Sequence, residues 1–191
     1  MKLKRDFYNR STLIVARELL GKYLCRKMGN KIVRVKITET EAYCGIKDKA
    51  CHASKGLTPR TKIMFGPSGH AYVYMIYGIY FCLNFVTEEE GNPSAVLIRK
   101  ASIKYKVSSI KDKRFPNSPL ILKLDGPGKL CRELKINKKL NEIDICKSKE
   151  LWIESVSRQT KEKNPIIKRG KRIGVDYAGK WKDKLWRFYV D

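Results

Sequence analysis

The sequence predicts a single-domain α+β fold, and three observations lead there. Runs in which apolar and polar residues alternate with period two read as strands. A few short helical patterns are scattered among those runs, as in a sheet with surrounding helices. The 191 residues carry no internal repeat and no composition shift that marks a domain boundary, and 42% hydrophobic residues suffice for one core.

Taken in order, Ser11 reads as a helix N-cap, with Leu13, Ala16, Leu19 and Leu20 following and Gly21 placed as the C-terminal cap. Residues 22–27 read as a short strand, and Gly29-Asn30 turns it into a second that runs from 31 to about 43. There Val33, Val35 and Ile37 share one face, and Arg34, Lys36 and Thr38 the other. Continued without a bulge, the alternation puts Glu39 and Glu41 on the apolar face. Residues 44–69 form a long connection rich in Gly, Pro, Lys and Thr, a length typical of functional loops. Residues 71–75 and 80–86 read as strands joined by a bend at Ile76-Tyr77-Gly78-Ile79. Residues 88–93 are a polar turn, and 94–101 another strand, in which Leu97 and Arg99 share a face. Residues 104–119 are basic and lack a clear pattern. Asp125-Gly126-Pro127-Gly128 leads into a helix of about ten residues from Lys129. Residues 151–154 read as a strand, 157–171 as a charged linker or loop, and 173–175 and 185–190 as strands that close the sheet.

Charge narrows the partners. Lys plus Arg number 42 against 19 Asp plus Glu, a net +23, which fits a polyanion because each phosphate contact releases counterions. A Lys-rich composition explains Lys in place of Arg, but explains the scarcity of acids less well. The six cysteines (25, 44, 51, 82, 131 and 146) include no CxxC pair, and the only histidines are His52 and His70, so a structural zinc is not expected. Free thiols suit a reducing cytoplasm. The charged first ten residues precede no apolar stretch of the kind a secretory signal needs. Residues 71–86 are uncharged but too short to cross a bilayer as a helix.

Three constellations carry chemistry. Glu39 and Glu41 at the end of an apolar strand need either partners or a use, since burying a carboxylate is costly. A salt-bridged structural role suits each singly; two on one face argue that at least one sits in a polar pocket. A glutamate in an apolar pocket can serve as a general base on water, and Arg99 is placed by parity to keep it ionised. Tyr43 and His52 flank the acid and could wall a pocket for a flat heterocycle. Tyr72, Tyr74, Tyr77 and Tyr80 fall within nine residues. Ordinary sheet packing accounts for most of them, but Tyr77 beside Gly78 is set to project, as a wedge would. Gly126-Pro127-Gly128-Lys129 suits a phosphate, and equally a plain turn and cap. A buried acid, aromatic walls and a cationic surface together suggest an enzyme that works on a nucleobase.

The chain resembles the alkyladenine (3-methyladenine, purine) DNA glycosylases. The matching pieces include Ala16-Arg17-Glu18-Leu19-Leu20-Gly21, Glu39-Thr40-Glu41-Ala42-Tyr43, His52, Thr58-Pro59-Arg60 and Met64-Phe65. They continue with Tyr72-Val73-Tyr74-Met75-Ile76-Tyr77-Gly78-Ile79-Tyr80-Phe81-Cys82-Leu83-Asn84, Val96-Leu97-Ile98-Arg99-Lys100-Ala101, Gly126-Pro127-Gly128-Lys129-Leu130, Arg172-Ile173-Gly174 and Arg187-Phe188-Tyr189-Val190. They follow one another in order across nearly the whole chain.

The resemblance implies a curved, mostly antiparallel β-sheet with surrounding helices. It also implies a monofunctional enzyme that hydrolyses the N-glycosidic bond of damaged purines in double-stranded DNA. Glu41 is then the base that activates water, with Arg99 and the Ile173 backbone carbonyl as the other holders of that water. Hydrolysis by an activated water needs no metal or other cofactor. Tyr43, His52 and Tyr74 stack around the flipped base, Asn84 clashes with a guanine amino group, and Leu97 lines the pocket. Tyr77 is the intercalating wedge, with Ile79 beside it, and Lys129 a phosphate contact. The implied protein is a cytoplasmic monomer, on the nucleoid when bound to DNA. His70 and Ile79 depart from the human type of the family. The competing readings are a non-catalytic basic nucleic-acid-binding protein, a helix-hairpin-helix glycosylase and an RNA-modifying hydrolase.

Overall fold

Two long strands lie at the centre of one antiparallel sheet and carry most of the site. The structure, a computed structural model, describes residues 1–105, 120–155 and 166–190. The elements are α1 (Arg5–Tyr8), α2 (Thr12–Glu18), β1 (Tyr23–Met28), β2 (Lys31–Cys44), β3 (Ala71–Ile76) and β4 (Tyr80–Thr87), then β5 (Ser94–Tyr105), β6 (Leu120–Asp125), α3 (Pro127–Glu133), β7 (Leu151–Glu154), β8 (Lys168–Gly170) and β9 (Arg187–Tyr189). Short 3-10 turns stand at His52–Lys55, Lys62–Phe65, Lys138–Leu140 and Asp176–Asp183. The main path of the sheet runs β3-β4-β5-β2-β1-β7; β6 pairs with β5, and β9 pairs with both β2 and β8. The sheet curls into a half-barrel, and the fold is α+β with a curved antiparallel sheet.

Both central strands change neighbours part-way along. β2 pairs with β1 through Lys36 and with β9 from Glu39 to Glu41. β5 pairs with β4 through Leu97 and with β6 from Lys100 onward. At the same place the β2–β5 ladder slips between Ile37 and Thr40. The slip switches the inward face. Val35 and Ile37 pack into the main core before it, and Ala42 packs there after it. On the partner strand Ala101 packs there on one side of the slip, Ile98 and Val96 on the other. An uninterrupted alternation would have placed Glu39 and Glu41 with Val35 and Ile37. The irregularity instead gives the core positions to Thr40 and Ala42 and turns the two glutamates to the opposite face, both buried.

The core gathers Tyr8, Leu24, Ile37, Phe85, Ile98, Leu124 and Phe188, all fully or nearly fully buried. α2 lies against β2, where the Thr40 hydroxyl donates to the Ala16 carbonyl at 2.7 Å. Ser11 is the N-cap of α2 by position, yet its side chain makes no capping bond. Glu88, just past β4, does so instead: its Oε1 accepts from the Thr12 N–H at 3.0 Å and from the Thr12 hydroxyl. A carboxylate there meets the free amide and the positive end of the helix together.

Several boundaries differ from the sequence reading. β5 runs to Tyr105, and β6 and α1 were not expected. α3 has seven residues, not ten, and starts at Pro127. Residues 173–175 are not a strand; they form the loop that reaches the site. Most of the patternless stretch 104–119, and 157–165 of the expected linker, lie outside the described residues. Lys168–Gly170, within that expected linker, is a strand.

Replacing Glu88 with Asn keeps a residue that tolerates its φ of 67° but shortens the reach to α2. Glu88→Asn is expected to lower the unfolding free energy by about 1 kcal/mol, the typical worth of a cap, whereas Ser11→Ala changes it by less. Urea denaturation of the two variants checks this.

Candidate active site

A cleft of about 770 Å³ opens on the face of the sheet opposite the main core. Tyr43 of β2, Tyr74 of β3, Asn84 of β4, and Leu97 and Arg99 of β5 line it, with His52 and Ile173 from loops. Strand pairing makes this meeting unavoidable: Glu41 lies opposite Leu97, and Leu97 lies opposite Asn84.

Glu41 sits in the wall. Its side chain has no exposed surface. Oε1 accepts from the Ile173 N–H at 2.8 Å, and an Arg99 Nη1 lies 3.5 Å away. Oε2 accepts from the Tyr43 hydroxyl at 2.8 Å. Burial pushes the Glu41 carboxyl above its ordinary range, while Arg99, the Ile173 amide and the Tyr43 hydroxyl pull it back. Arg99, Ile173 and Tyr43 all face the cleft, so the carboxylate is one layer behind its surface. The Ile173 contact with Glu41 runs through its N–H; the sequence reading had considered only its carbonyl.

Glu39 lies on the same face and has three cationic partners. Arg99 Nε and Arg187 Nη1 approach its Oε1 at 3.1 and 3.2 Å, and Lys100 Nζ approaches Oε2 at 3.1 Å. The two glutamates therefore differ in kind. One is ion-paired to several cations, and the other is held by neutral donors and a single, longer cation contact.

The loop that brings Ile173 to Glu41 hangs on a buried ion pair. Arg172 and Asp48 have no exposed side-chain surface, and their carboxylate and guanidinium meet through two bonds. Arg172 also donates to the carbonyls of Ala42 at 2.9 Å and Trp181 at 3.1 Å, and lies over the rings of Tyr43 and Trp186. Asp48 in turn accepts from the Cys44 and Ala50 amides. Sequence reasoning assigned neither residue a role. Arg172 could have been noticed as the neighbour of Ile173, but Asp48 in a Lys-rich loop gave no sign.

The aromatic wall is tightly interlocked. His52 and Tyr74 meet edge to face at 4.6 Å, and Tyr72 and Tyr74 lie 5.1 Å apart. His52 Nδ1 and the Tyr72 hydroxyl share a 2.8 Å hydrogen bond. The Arg60 guanidinium lies 4.8 Å over Tyr74. Burial, with Arg60 and Lys55 adding to it, lowers the His52 imidazole from 6.5 to about 4, so the ring is neutral at neutral pH. Asn84 is buried and donates to the Tyr72 carbonyl at 3.1 Å, which fixes its side chain in the wall.

At the mouth, β3 and β4 are joined by Tyr77-Gly78-Ile79 between the paired Ile76 and Tyr80. Tyr77 and Gly78 both have positive φ, 54° and 72°, which Gly accepts freely and Tyr does not. Tyr77 is 82% exposed, and Ile79 beside it is also exposed. Across the mouth, Gly128 lies so close to Tyr80 that a Cβ there would stand 3.0 Å from its ring. The bare backbone lets the start of α3 close the rim, where Lys129 is exposed. His70 does not line the cleft; its Nδ1 is 2.8 Å from the Pro67 carbonyl. No group of three or more His, Cys, Asp or Glu that could hold a metal stands together among the described residues.

Stability should report the buried imidazole. The unfolded chain binds a proton at His52 near pH 6.5 and the folded chain only near 4, so stability is full above 6.5 and declines as the pH falls toward 4. His52→Gln is expected to lose less stability over that interval than the parent chain, measured by denaturation at a series of pH values.

Comparison with known proteins places the chain in a family. The profile of the family described as Methylpurine-DNA glycosylase (MPG) matches residues 6–191. A Methanocella arvoryzae protein is 49% identical over 98% of this chain and 91% of its own length. Proteins of Desulfitobacterium hafniense and Legionella pneumophila (strain Corby) are each 47% identical, over 100% and 99% of this chain and 95% and 94% of their own lengths. All three bear the name "Putative 3-methyladenine DNA glycosylase". With a family profile spanning nearly its whole length and relatives this similar, the chain belongs to the methylpurine-DNA glycosylase family.

Proposed function

We propose that this protein is a monofunctional DNA glycosylase of base excision repair. It flips alkylated or deaminated purines out of duplex DNA and hydrolyses their N-glycosidic bond with a water activated by Glu41. Its substrates are 3-methyladenine, 7-methylguanine, hypoxanthine and ethenoadenine. The observation that carries this reading is the Glu41 carboxylate, buried behind the aromatic cleft and bonded to Ile173 and Tyr43, with Arg99 at 3.5 Å.

The chemistry follows from the arrangement. Tyr77 enters the duplex at the lesion and fills the space the extruded nucleotide leaves, a move that costs least where pairing is already weak. The flipped purine stacks against Tyr43, His52 and Tyr74. These rings favour an electron-poor base, and an N3- or N7-methylated purine carries positive charge. A neutral His52 adds no opposing charge. Asn84, held by the Tyr72 carbonyl, presents a fixed edge that an exocyclic amino group on guanine would meet. As the glycosidic bond stretches, the sugar gains oxocarbenium character, as in other glycoside cleavages. Glu41 offsets that charge and takes a proton from the attacking water; a methylated purine, already cationic, leaves as the neutral base, whereas hypoxanthine and ethenoadenine leave as neutral bases only after a ring nitrogen gains a proton from solvent. Arg99 and the Ile173 amide keep it ionised against the cost of burial. No lysine is assigned as a nucleophile, so the product is an abasic site in an unbroken strand. The net +23 supplies the sequence-independent grip on phosphate, with Lys129 at the cleft rim as one contact.

Glu41→Gln is expected to bind lesion-containing duplex as the parent does and to lose excision by several orders of magnitude, read in single-turnover release of free base; normal turnover would remove Glu41 from the chemistry. Tyr77→Ala is expected to weaken lesion-specific binding while leaving the salt-dependent affinity for undamaged duplex nearly intact. Equal loss of both affinities would make Tyr77 a packing residue.

A further inference from the structure

Glu39 is buried beside the site but touches no part of the cleft. Its three cations reach it from two strands: Arg99 and Lys100 from β5, and Arg187 from β9. Two of these contacts continue to Glu41. The Arg99 guanidinium bonds Glu39 through Nε at 3.1 Å and presents Nη1 to Glu41 at 3.5 Å, so one planar group spans both carboxylates. Arg187 bonds Glu39 through Nη1 at 3.2 Å and donates from Nε to the Lys171 carbonyl at 2.7 Å. Lys171 lies two residues before Ile173, whose N–H donates to Glu41. Close fit holds Arg187 in place, because a Cβ at Gly170 would stand 2.8 Å from its guanidinium.

We infer that Glu39 is a positioning residue for the reaction proposed above: its carboxylate holds, through Arg99 and through Arg187, two of the donors that keep Glu41 ionised and aimed. This rests on the reading of Glu41 as the base. A plain structural ion pair would need no such continuity. Arg99 alone would satisfy the charge, and nothing would require both chains of contact to end on the same oxygen of Glu41.

The two accounts differ in sign. The charged and polar groups around Glu41 are Arg99 from β5, Tyr43 and Glu39 from β2, Cys82 from β4, and the Ile173 amide from the loop, with Arg187 behind Glu39 on β9. Were Glu39 only a negative neighbour, removing its charge would ease ionisation of Glu41 and move the acid limb of the rate profile to lower pH. As a holder of donors, its loss lets Arg99 and the Ile173 amide drift from Glu41. Ionisation then becomes harder, and the acid limb moves to higher pH.

The experiment is single-turnover excision from a duplex oligonucleotide bearing one hypoxanthine, followed from acid to neutral pH for the parent, Glu39→Gln, Arg187→Met and Glu41→Gln. Glu39→Gln is expected to bind the duplex within about threefold of the parent, to excise about 100-fold more slowly, the scale of a misplaced catalytic group, and to shift its acid limb upward. Arg187→Met leaves the Arg99 contact and should show a smaller shift of the same sign. Should Glu39→Gln fail to fold by circular dichroism, the sign for Arg187→Met decides. An unchanged or downward-shifted limb with near-parental rates overturns the positioning role. If Glu41→Gln itself excises normally, the base assignment fails, which is a different result from Glu39→Gln behaving like the parent while Glu41→Gln is inactive.

Discussion

The structure depends on keeping a charge where water does not reach. A carboxylate with no exposed surface is destabilised unless its oxygens are occupied, and each contact to Glu41 comes from a different part of the chain. Arg99 comes from the paired strand, Tyr43 from two positions along the same strand, and the Ile173 amide from a loop 132 residues away. That loop is held by Arg172 and Asp48, which bond one another and also the carbonyls of Ala42 and Trp181 and the amides of Cys44 and Ala50, leaving the Arg172 Nε buried without a partner among the described residues. Removing one member of a buried pair of this kind typically costs about 3–5 kcal/mol, because the remaining charge is stranded. Stability and site geometry are thus served by the same bonds.

The slip between β2 and β5 is what separates scaffold from chemistry. Before it, the inward side chains are ordinary aliphatics. After it, Thr40 and Ala42 take over the core, and Glu39, Glu41 and Tyr43 turn to the opposite face, where Tyr43 lines the cleft together with Leu97 and Arg99 from the partner strand. One irregular step lets a single strand supply core on one side and polar groups on the other, without a second domain to make a pocket. The cleft mouth is shaped by backbone of the same economy: a left-handed Tyr77-Gly78 pair that pushes a ring outward, and a bare Gly128 that brings α3 against Tyr80.

Much of this was legible in the residues. The residues predict strands at β1, β2, β3, β4, β7, β9 and most of β5, and in β2 the alternation that follows directly from the pleat is explicit. Parity also placed Leu97 and Arg99 on one face, and both line the cleft. The same parity failed for Glu39 and Glu41, because a register slip leaves no composition signal; only three-dimensional pairing reveals it. Ser11 is the N-cap of α2 as the sequence predicts, but the capping bond is made by Glu88, 76 residues along the chain from the Thr12 amide it accepts, a partner that no local pattern reveals. The sequence predicts a strand at residues 173–175 because two apolar residues near Gly look alike in a strand and in a loop. Asp48 and Arg172 stayed silent since a charged residue in a basic chain reads as surface until its burial is seen. β6 was missed where the sequence around it carries no regular alternation.

The central claim is that Glu41 is ionised at neutral pH although it is buried, and the most direct measurement is its own titration. Carbon-13 NMR of glutamate-labelled protein, with Glu41→Gln to identify the signal, reads the carboxyl group without reference to turnover. The account predicts a midpoint above the ordinary 4.5, with the carboxylate ionised at neutral pH because Arg99, the Ile173 amide and the Tyr43 hydroxyl all present hydrogens to it. A Glu41 signal that remains protonated at neutral pH would contradict it, and so would one that titrates like an exposed glutamate.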